Sequence, residues 1–253
     1  MNAAFNSSRH KLGRVGMIVP LSNTNLEPDC GLLTPADVSV HFTRLGGYDI
    51  DVTPGIEEMR ALALASVDDI LHLLTAAKVN VIGYGCASAT LSCGLDFDRR
   101  LREDMQAKAG VPVVTVAGAM VEALALLDAT RIAFTSPYVR DLNRESASFF
   151  EEAGIQVVNF ADHAKALSSV EQGLMTPQDV FELGCAADHP EADAIAIGCT
   201  DFRAVEAIEA LERKLGKPVV TSNQALMFAC LARIGVDPTS VENGGRLFKI
   251  NAR

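Results

Sequence analysis

The sequence predicts an α/β protein of two pseudo-symmetric lobes, each built on a parallel sheet, with the functional site in the cleft between them. Two observations predict it. Short apolar runs alternate with amphipathic stretches along the chain, the pattern of parallel strands joined by helices. Three of those runs also recur in the same order. Arg14-Val15-Gly16-Met17-Ile18-Val19-Pro20 is answered by Arg131-Ile132-Ala133-Phe134-Thr135-Ser136-Pro137. Val81-Ile82-Gly83-Tyr84-Gly85-Cys86 is answered by Ile195-Ala196-Ile197-Gly198-Cys199, and Pro112-Val113-Val114-Thr115 by Pro218-Val219-Val220-Thr221. The offset between copies shrinks along the chain, as expected when connecting loops shorten.

Taken in order, Val15 to Val19 reads as a strand that ends in the polar loop Pro20-Leu21-Ser22-Asn23-Thr24-Asn25. A second strand is expected at Val38 to Thr43, before a Gly-rich loop at Gly46-Gly47-Tyr48. From Pro54 to Ala77 the apolar residues Met59, Leu62, Ala63, Val67, Ile70, Leu71 and Leu74 fall at helical spacing, predicting one or two helices. Val79 to Tyr84 carries the first cysteine motif. Phe97 to Ala109 is an amphipathic helix, Val111 to Val116 a strand and Ala117 to Leu127 a helix. The second copy starts with strand Ile132 to Thr135. A helix over Val139 to Ala153 follows, closed by Gly154 as a C-cap. Ile155 to Phe160 is a strand, and Thr176-Pro177 opens a helix with an N-cap and a proline at the first helical position. Ala194 to Ile197 carries the second cysteine motif, Val205 to Leu215 is a helix, Val219 to Thr221 a strand and Gln224 to Ile234 a closing helix. This order gives two Rossmann-like lobes: residues 1–118 with 222–253, and an inserted second lobe over 119–221.

Composition excludes several classes. The chain has 253 residues, half of them apolar, enough for a sizeable core. A net charge of −10 without a basic block speaks against a nucleic-acid partner. No apolar run has the length of a membrane span, and Met1 to Leu12 lacks a hydrophobic signal region. The six cysteines follow neither a disulfide framework nor zinc-ligand spacing, which points to a reducing cytoplasm and no metal. Gly83-Tyr84-Gly85 is not a full dinucleotide fingerprint, no P-loop is present, and no cofactor is expected. A homo-oligomer, dimer or tetramer, is the common outcome for α/β proteins of this size.

In open α/β sheets, ligands bind beyond the carboxyl ends of the strands. Four polar clusters fall there: Ser22-Asn23-Thr24, Cys86-Ala87-Ser88, Ser136-Pro137-Tyr138 and Cys199-Thr200. Hydroxyls, amides and free N–H groups of this kind grip a carboxylate. Cys86 and Cys199 occupy the same frame of the repeat, so two thiols face one ligand from either side. The preceding glycines are expected to let the backbone turn sharply. A cysteine at a helix start is expected to have a lowered pKa. Cys185 and Cys230 read as small buried hydrophobes in helices, Asp201 as the cap of the helix that follows, and His163 as a loop residue. Cys30, Cys93 and His163 receive no role.

These motifs resemble the aspartate/glutamate racemase superfamily, and within it the maleate cis–trans isomerase and arylmalonate decarboxylase branch. Val19-Pro20-Leu21-Ser22-Asn23-Thr24-Asn25-Leu26-Glu27 resembles the opening loop of the isomerases. Gly85-Cys86 and Gly198-Cys199-Thr200 resemble the two cysteine sites, and Ser136-Pro137-Tyr138 the substrate-contacting tyrosine turn. The chain is also similar to the racemase-like proteins of ectoine utilisation. The resemblance implies a cofactor-independent two-cysteine isomerase or racemase of a small mono- or dicarboxylate. It makes Cys86 and Cys199 the catalytic pair and Asn23 and Tyr138 carboxylate-binding groups, helped by Ser22, Ser88 and Thr200. It also implies an asparagine after the strand near 155–160, where this chain has Asp162-His163-Ala164 and Leu167-Ser168-Ser169. Two other functions stay open: a decarboxylase of arylmalonate type with Cys199 as proton donor, and a non-catalytic binder of small carboxylates.

Overall fold

The computed structural model describes residues 11–46, 51 and 53–250. Met1 to His10, and Gly47 and Tyr48 of the expected Gly-rich loop, lie outside the described residues. Strands β1 (Gly13–Pro20), β2 (Val38–Leu45), β3 (Val81–Tyr84) and β4 (Val113–Thr115) form one parallel sheet in the order β2-β1-β3-β4. Strands β5 (Arg131–Thr135), β6 (Gln156–Ala161), β7 (Ala194–Ile197) and β8 (Val219–Thr221) form a second in the order β6-β5-β7-β8. The two orders are the same once the second copy is renumbered, and every repeated segment occupies equivalent strands. β3, β4, β7 and β8 are buried throughout, which is why they read as unbroken apolar runs without alternation.

Helices wrap the sheets: α1 (Leu26–Leu33), α2 (Ile56–Leu64), α3 (Asp68–Ala76), α4 (Ala87–Leu91), α5 (Leu95–Ala109) and α6 (Val116–Leu126) in the first part of the chain. α7 (Arg140–Glu152), α8 (Ser169–Gly173), α9 (Pro177–Ala187), α10 (Ile208–Leu215) and α11 (Ser222–Arg233) follow. The repeat extends into the caps. Thr115 Oγ1 accepts the Gly118 N–H at the start of α6, and Thr221 Oγ1 accepts the Gln224 N–H at the start of α11. α11 is buried from Ser222 to Leu231 because it packs on α6, on α1 and on strands of both sheets. With α6, which also reaches β8, it joins the two halves of the core.

In each sheet the order of strand addition reverses between the first and third strands, the switch point where a crevice opens. The Ser22-Asn23 loop leaves β1 and Cys86 leaves β3, so both line the first crevice. Ser136-Pro137-Tyr138 leaves β5 and Cys199 leaves β7, so both line the second.

The glycine before each cysteine is required by close approach rather than by a special turn. Gly85 N–H bonds Ile18 O at 2.9 Å and Gly198 N–H bonds Thr135 O at 2.8 Å, which extends the parallel pairing one residue beyond the strands. A Cβ on Gly85 would sit 2.7 Å from Ile18 O and clash with the Leu26 side chain, and one on Gly198 would sit 2.9 Å from Phe134 Cζ. The Gly85→Ala variant is therefore expected to lose at least about 2 kcal/mol in urea unfolding, since a backbone oxygen cannot move aside.

Candidate active site

One small cleft gathers the seven expected catalytic and substrate-binding residues: Ser22, Asn23, Cys86, Ser88, Tyr138, Cys199 and Thr200. Cys86 and Cys199 are 5% and 6% exposed, so both thiols reach the cleft from otherwise packed surroundings. They arrive by different routes. Cys86 is the N-cap of α4 in extended conformation. Cys199 has φ +80°, a left-handed backbone seldom adopted by a residue with a Cβ. The strain costs about 1–2 kcal/mol. The Cys199→Gly variant is accordingly expected to melt at a higher temperature than Cys199→Ala, although both lack the thiol; calorimetry of the pair checks this.

Donors surround both sulfurs. Cys86 Sγ accepts the Ala89 N–H and lies 3.9 Å from Ser88 Oγ. Cys199 Sγ accepts the Asp201 N–H and the Tyr138 hydroxyl, and Tyr138 also meets Ser88. Ser88 and Tyr138 thus form a bridge of polar groups between the two thiols. Burial holds the Tyr138 phenol far above its ordinary value, so it is a permanent O–H donor.

Burial also overturns the expectation of lowered cysteine pKa values. Desolvation pushes the Cys86 thiol up to about 11, and desolvation with the nearby Asp201 charge pushes Cys199 to about 12. The N–H and O–H donors lower both without compensating. Among the described residues, no Lys, Arg or His lines the cleft to hold a thiolate electrostatically. Cys199, moreover, is followed by a turn rather than a helix start.

The opening loop is fixed from both lobes. Asn23 Nδ2 donates to Thr200 Oγ1 at 2.9 Å, and its Oδ1 accepts the N–H groups of Asn25 and Leu26 at 3.1 and 2.9 Å. One amide hydrogen of Asn23 is left for a ligand. Thr200 differs from expectation: its hydroxyl donates to Gly85 O at 2.8 Å, so it buttresses Asn23 and has no proton for a carboxylate. Asp201 does not cap the following helix. Its Oδ1 accepts from Thr24 N–H at 2.8 Å, Asn25 N–H at 3.1 Å and Asn25 Nδ2 at 2.9 Å, across the cleft. Asn25 Nδ2 also meets Gly173 O at 2.9 Å. Behind Thr200, Asn223 Nδ2 bridges Thr200 O and Asp29 Oδ2, whose pKa burial pushes up to about 7.

Sequence reasoning missed Pro54, Met59, Ser169, Gln172 and Asp201 as cleft residues. Met59 of α2 covers the site, its Sδ 2.8 Å from Ser88 Oγ. Gln172 of α8 faces Cys199, with Oε1 4.0 Å from Sγ. The Ser168-x-x-Glu171 capping box was the readable signal for α8. Cys30 and Cys230 are buried away from the cleft, whereas Cys185 is half-buried on α9 rather than enclosed. His163 bonds Lys165 O in its own loop. Among the described residues, no group of three or more His, Cys, Asp or Glu is placed to hold a metal ion.

Fold and site together define a two-lobed α/β protein with a thiol on each side of a small cleft. The chain belongs to the arylmalonate decarboxylase family, whose model matches residues 15–248. It is 30% identical over 244 residues to a maleate isomerase of Pseudomonas putida, covering 90% of this chain and 94% of the relative. It is 28% identical to the maleate isomerase of Nocardia farcinica, covering 93% and 95%. Among solved structures, a cysteine-to-serine mutant of the Nocardia farcinica maleate cis–trans isomerase carries a covalently bound succinylcysteine intermediate. It matches with a TM-score of 0.84 at 25% identity, covering 93% of this chain and 98% of that one. The resemblance drawn from the motifs holds, down to the branch.

Proposed function

We propose that this protein is a cofactor-independent cis–trans isomerase of a small unsaturated dicarboxylate, with maleate as its substrate. The observation that carries this is the meeting of Cys86 and Cys199 in one cleft, each with N–H or O–H donors at sulfur. The isomerase relatives and the succinylcysteine of the Nocardia protein support it.

In this mechanism Cys86 thiolate adds to one alkene carbon, and the π electrons move into the adjacent carboxylate as an enediolate. Cys199 protonates the neighbouring carbon, giving a single C–C bond that rotates. Cys199 then removes that proton, the C–S bond breaks with its electrons returning to sulfur, and the trans diacid leaves. Asn23 offers its remaining amide hydrogen to a carboxylate, and the hydroxyls of Ser22, Ser88 and Tyr138, which line the same cleft, turn to the carboxylates as the substrate enters and stabilise the enediolate. Six unpaired cysteines suit a cytoplasmic location, and a homo-oligomer is expected by light scattering.

Incubation of purified protein with maleate under proton NMR is expected to yield fumarate. Loss of carbon dioxide from an arylmalonate with maleate untouched would instead assign the decarboxylase reaction, and turnover of neither would leave a binding protein.

A further inference from the structure

We propose that Gln172 decides which of the two thiols ionises first: its side-chain oxygen accepts from Cys199 Sγ–H, keeping Cys199 the acid and leaving Cys86 the more readily ionised thiol. The inference deepens the isomerase function above and rests on it for its chemical meaning. The duplicated fold gives the two cysteines equivalent places, so the difference between them comes from what faces each sulfur. Around Cys86 the polar partners are the Ala89 N–H and the Ser88 hydroxyl, and both donate to a thiolate. Cys199 has donors too, but it also faces Gln172 Oε1 at 4.0 Å. An amide oxygen has no proton to give. It attracts an S–H and repels an S⁻.

The amide is not free to turn over. Gln172 is 5% exposed, and its Nε2 donates to Leu167 O at 3.2 Å. A flipped amide would set its oxygen against that carbonyl and lose the bond, so the oxygen stays on the thiol side. The helix that carries it is pinned by a reciprocal cap: Glu171 N–H to Ser168 Oγ at 3.3 Å and Ser168 N–H to Glu171 Oε2 at 2.8 Å. Asn25, through Gly173 O, ties the end of the same helix to the opposite lobe.

The consequence for the reaction is directional. Cys199 enters as S–H and transfers its proton to carbon. The thiolate it becomes faces the Gln172 oxygen, which makes it a stronger base for retrieving the same proton when the adduct collapses. Gln172 is a positioning residue, since it acts through Cys199 sulfur.

The test is brief alkylation with iodoacetamide in the absence of substrate, with the Cys86 to Cys199 labelling ratio read by peptide mass spectrometry. The wild type is expected to label Cys86 first. Gln172→Leu is expected to shift the ratio at least about tenfold toward Cys199, one pKa unit of relative thiolate. Gln172→Glu, which keeps an acceptor oxygen, is expected to retain or widen the wild-type ratio. An unchanged ratio in Gln172→Leu, or preferential labelling of Cys199 in the wild type, overturns the proposal. Should Gln172→Leu fail to fold, Gln172→Met carries the same comparison. Because no substrate is present, failure of maleate turnover and failure of the Gln172 assignment are read separately.

Discussion

Cys199→Ser is expected to stop fumarate formation while gaining the mass of one substrate molecule on Cys86 after incubation with maleate. Cys86→Ser is expected to be equally inactive and to gain none. In the proposed mechanism Cys86 makes and breaks the C–S bond, and Cys199 delivers and recovers the proton on the neighbouring carbon. Loss of the second function leaves an adduct that water protonates and nothing efficiently collapses. Each single variant is expected to lose at least about 10³-fold in kcat, and the double variant little more, because residues that act as a unit are not additive. Intact-protein mass spectrometry and NMR turnover check both halves; an active Cys86→Ser enzyme would remove the mechanism. The pH dependence follows from the direction of the shifts. Burial raises the Cys86 thiol to about 11, so its reactive thiolate is a minor form at neutral pH. kcat/KM is therefore expected to climb about tenfold per pH unit from pH 7 toward 9, the slope of one required deprotonation.

Asp201→Ala is the second large effect. Its carboxylate oxygen collects two main-chain N–H groups and the Asn25 amide from the opposite lobe. Alanine would leave these donors partly buried without partners, at a cost of roughly 2–4 kcal/mol. The same change unpins the loop that places Asn23 and frees the Gly173 end of α8. KM for maleate is expected to rise more than about tenfold as prepaid orientation is lost. Asp201→Asn keeps an acceptor oxygen for the same donors and is expected to recover most of both losses. Thermal unfolding and steady-state kinetics on the three proteins decide it. Equal behaviour of the alanine and asparagine variants would mean that the bonds across the cleft do not organise the site.

The fold was legible because a parallel α/β lobe writes itself locally. The buried strands are short apolar runs, the caps at Thr176-Pro177 sit where the helix starts, and duplication repeats each signal. The cleft residues were legible for the same reason, since they follow strands. Asp201 was misread because its partners are Thr24 and Asn25, far away in sequence, and nothing in Gly-Cys-Thr-Asp marks a bond across lobes. The cysteine pKa direction was misread because depth of burial is a tertiary property; a local helix start is visible in sequence and the absence of a nearby cation is not. Gln172 and Met59 escaped because α8 and α2 are short covering helices whose residues face the cleft only once both lobes are in place. The glycines were expected to allow a sharp turn; the residue with the left-handed backbone is instead Cys199, and the glycines are required by the close approach of Ile18, Leu26 and Phe134.

A cleft lined, among the described residues, without Lys, Arg or His, in a chain of net charge −10, has a consequence for how a dianion arrives. The long-range field repels it, and attraction begins only at hydrogen-bonding distance. Raising ionic strength screens that repulsion. Capture of the diacid should accordingly quicken with added salt, the reverse of an enzyme that draws its anion in with a basic funnel.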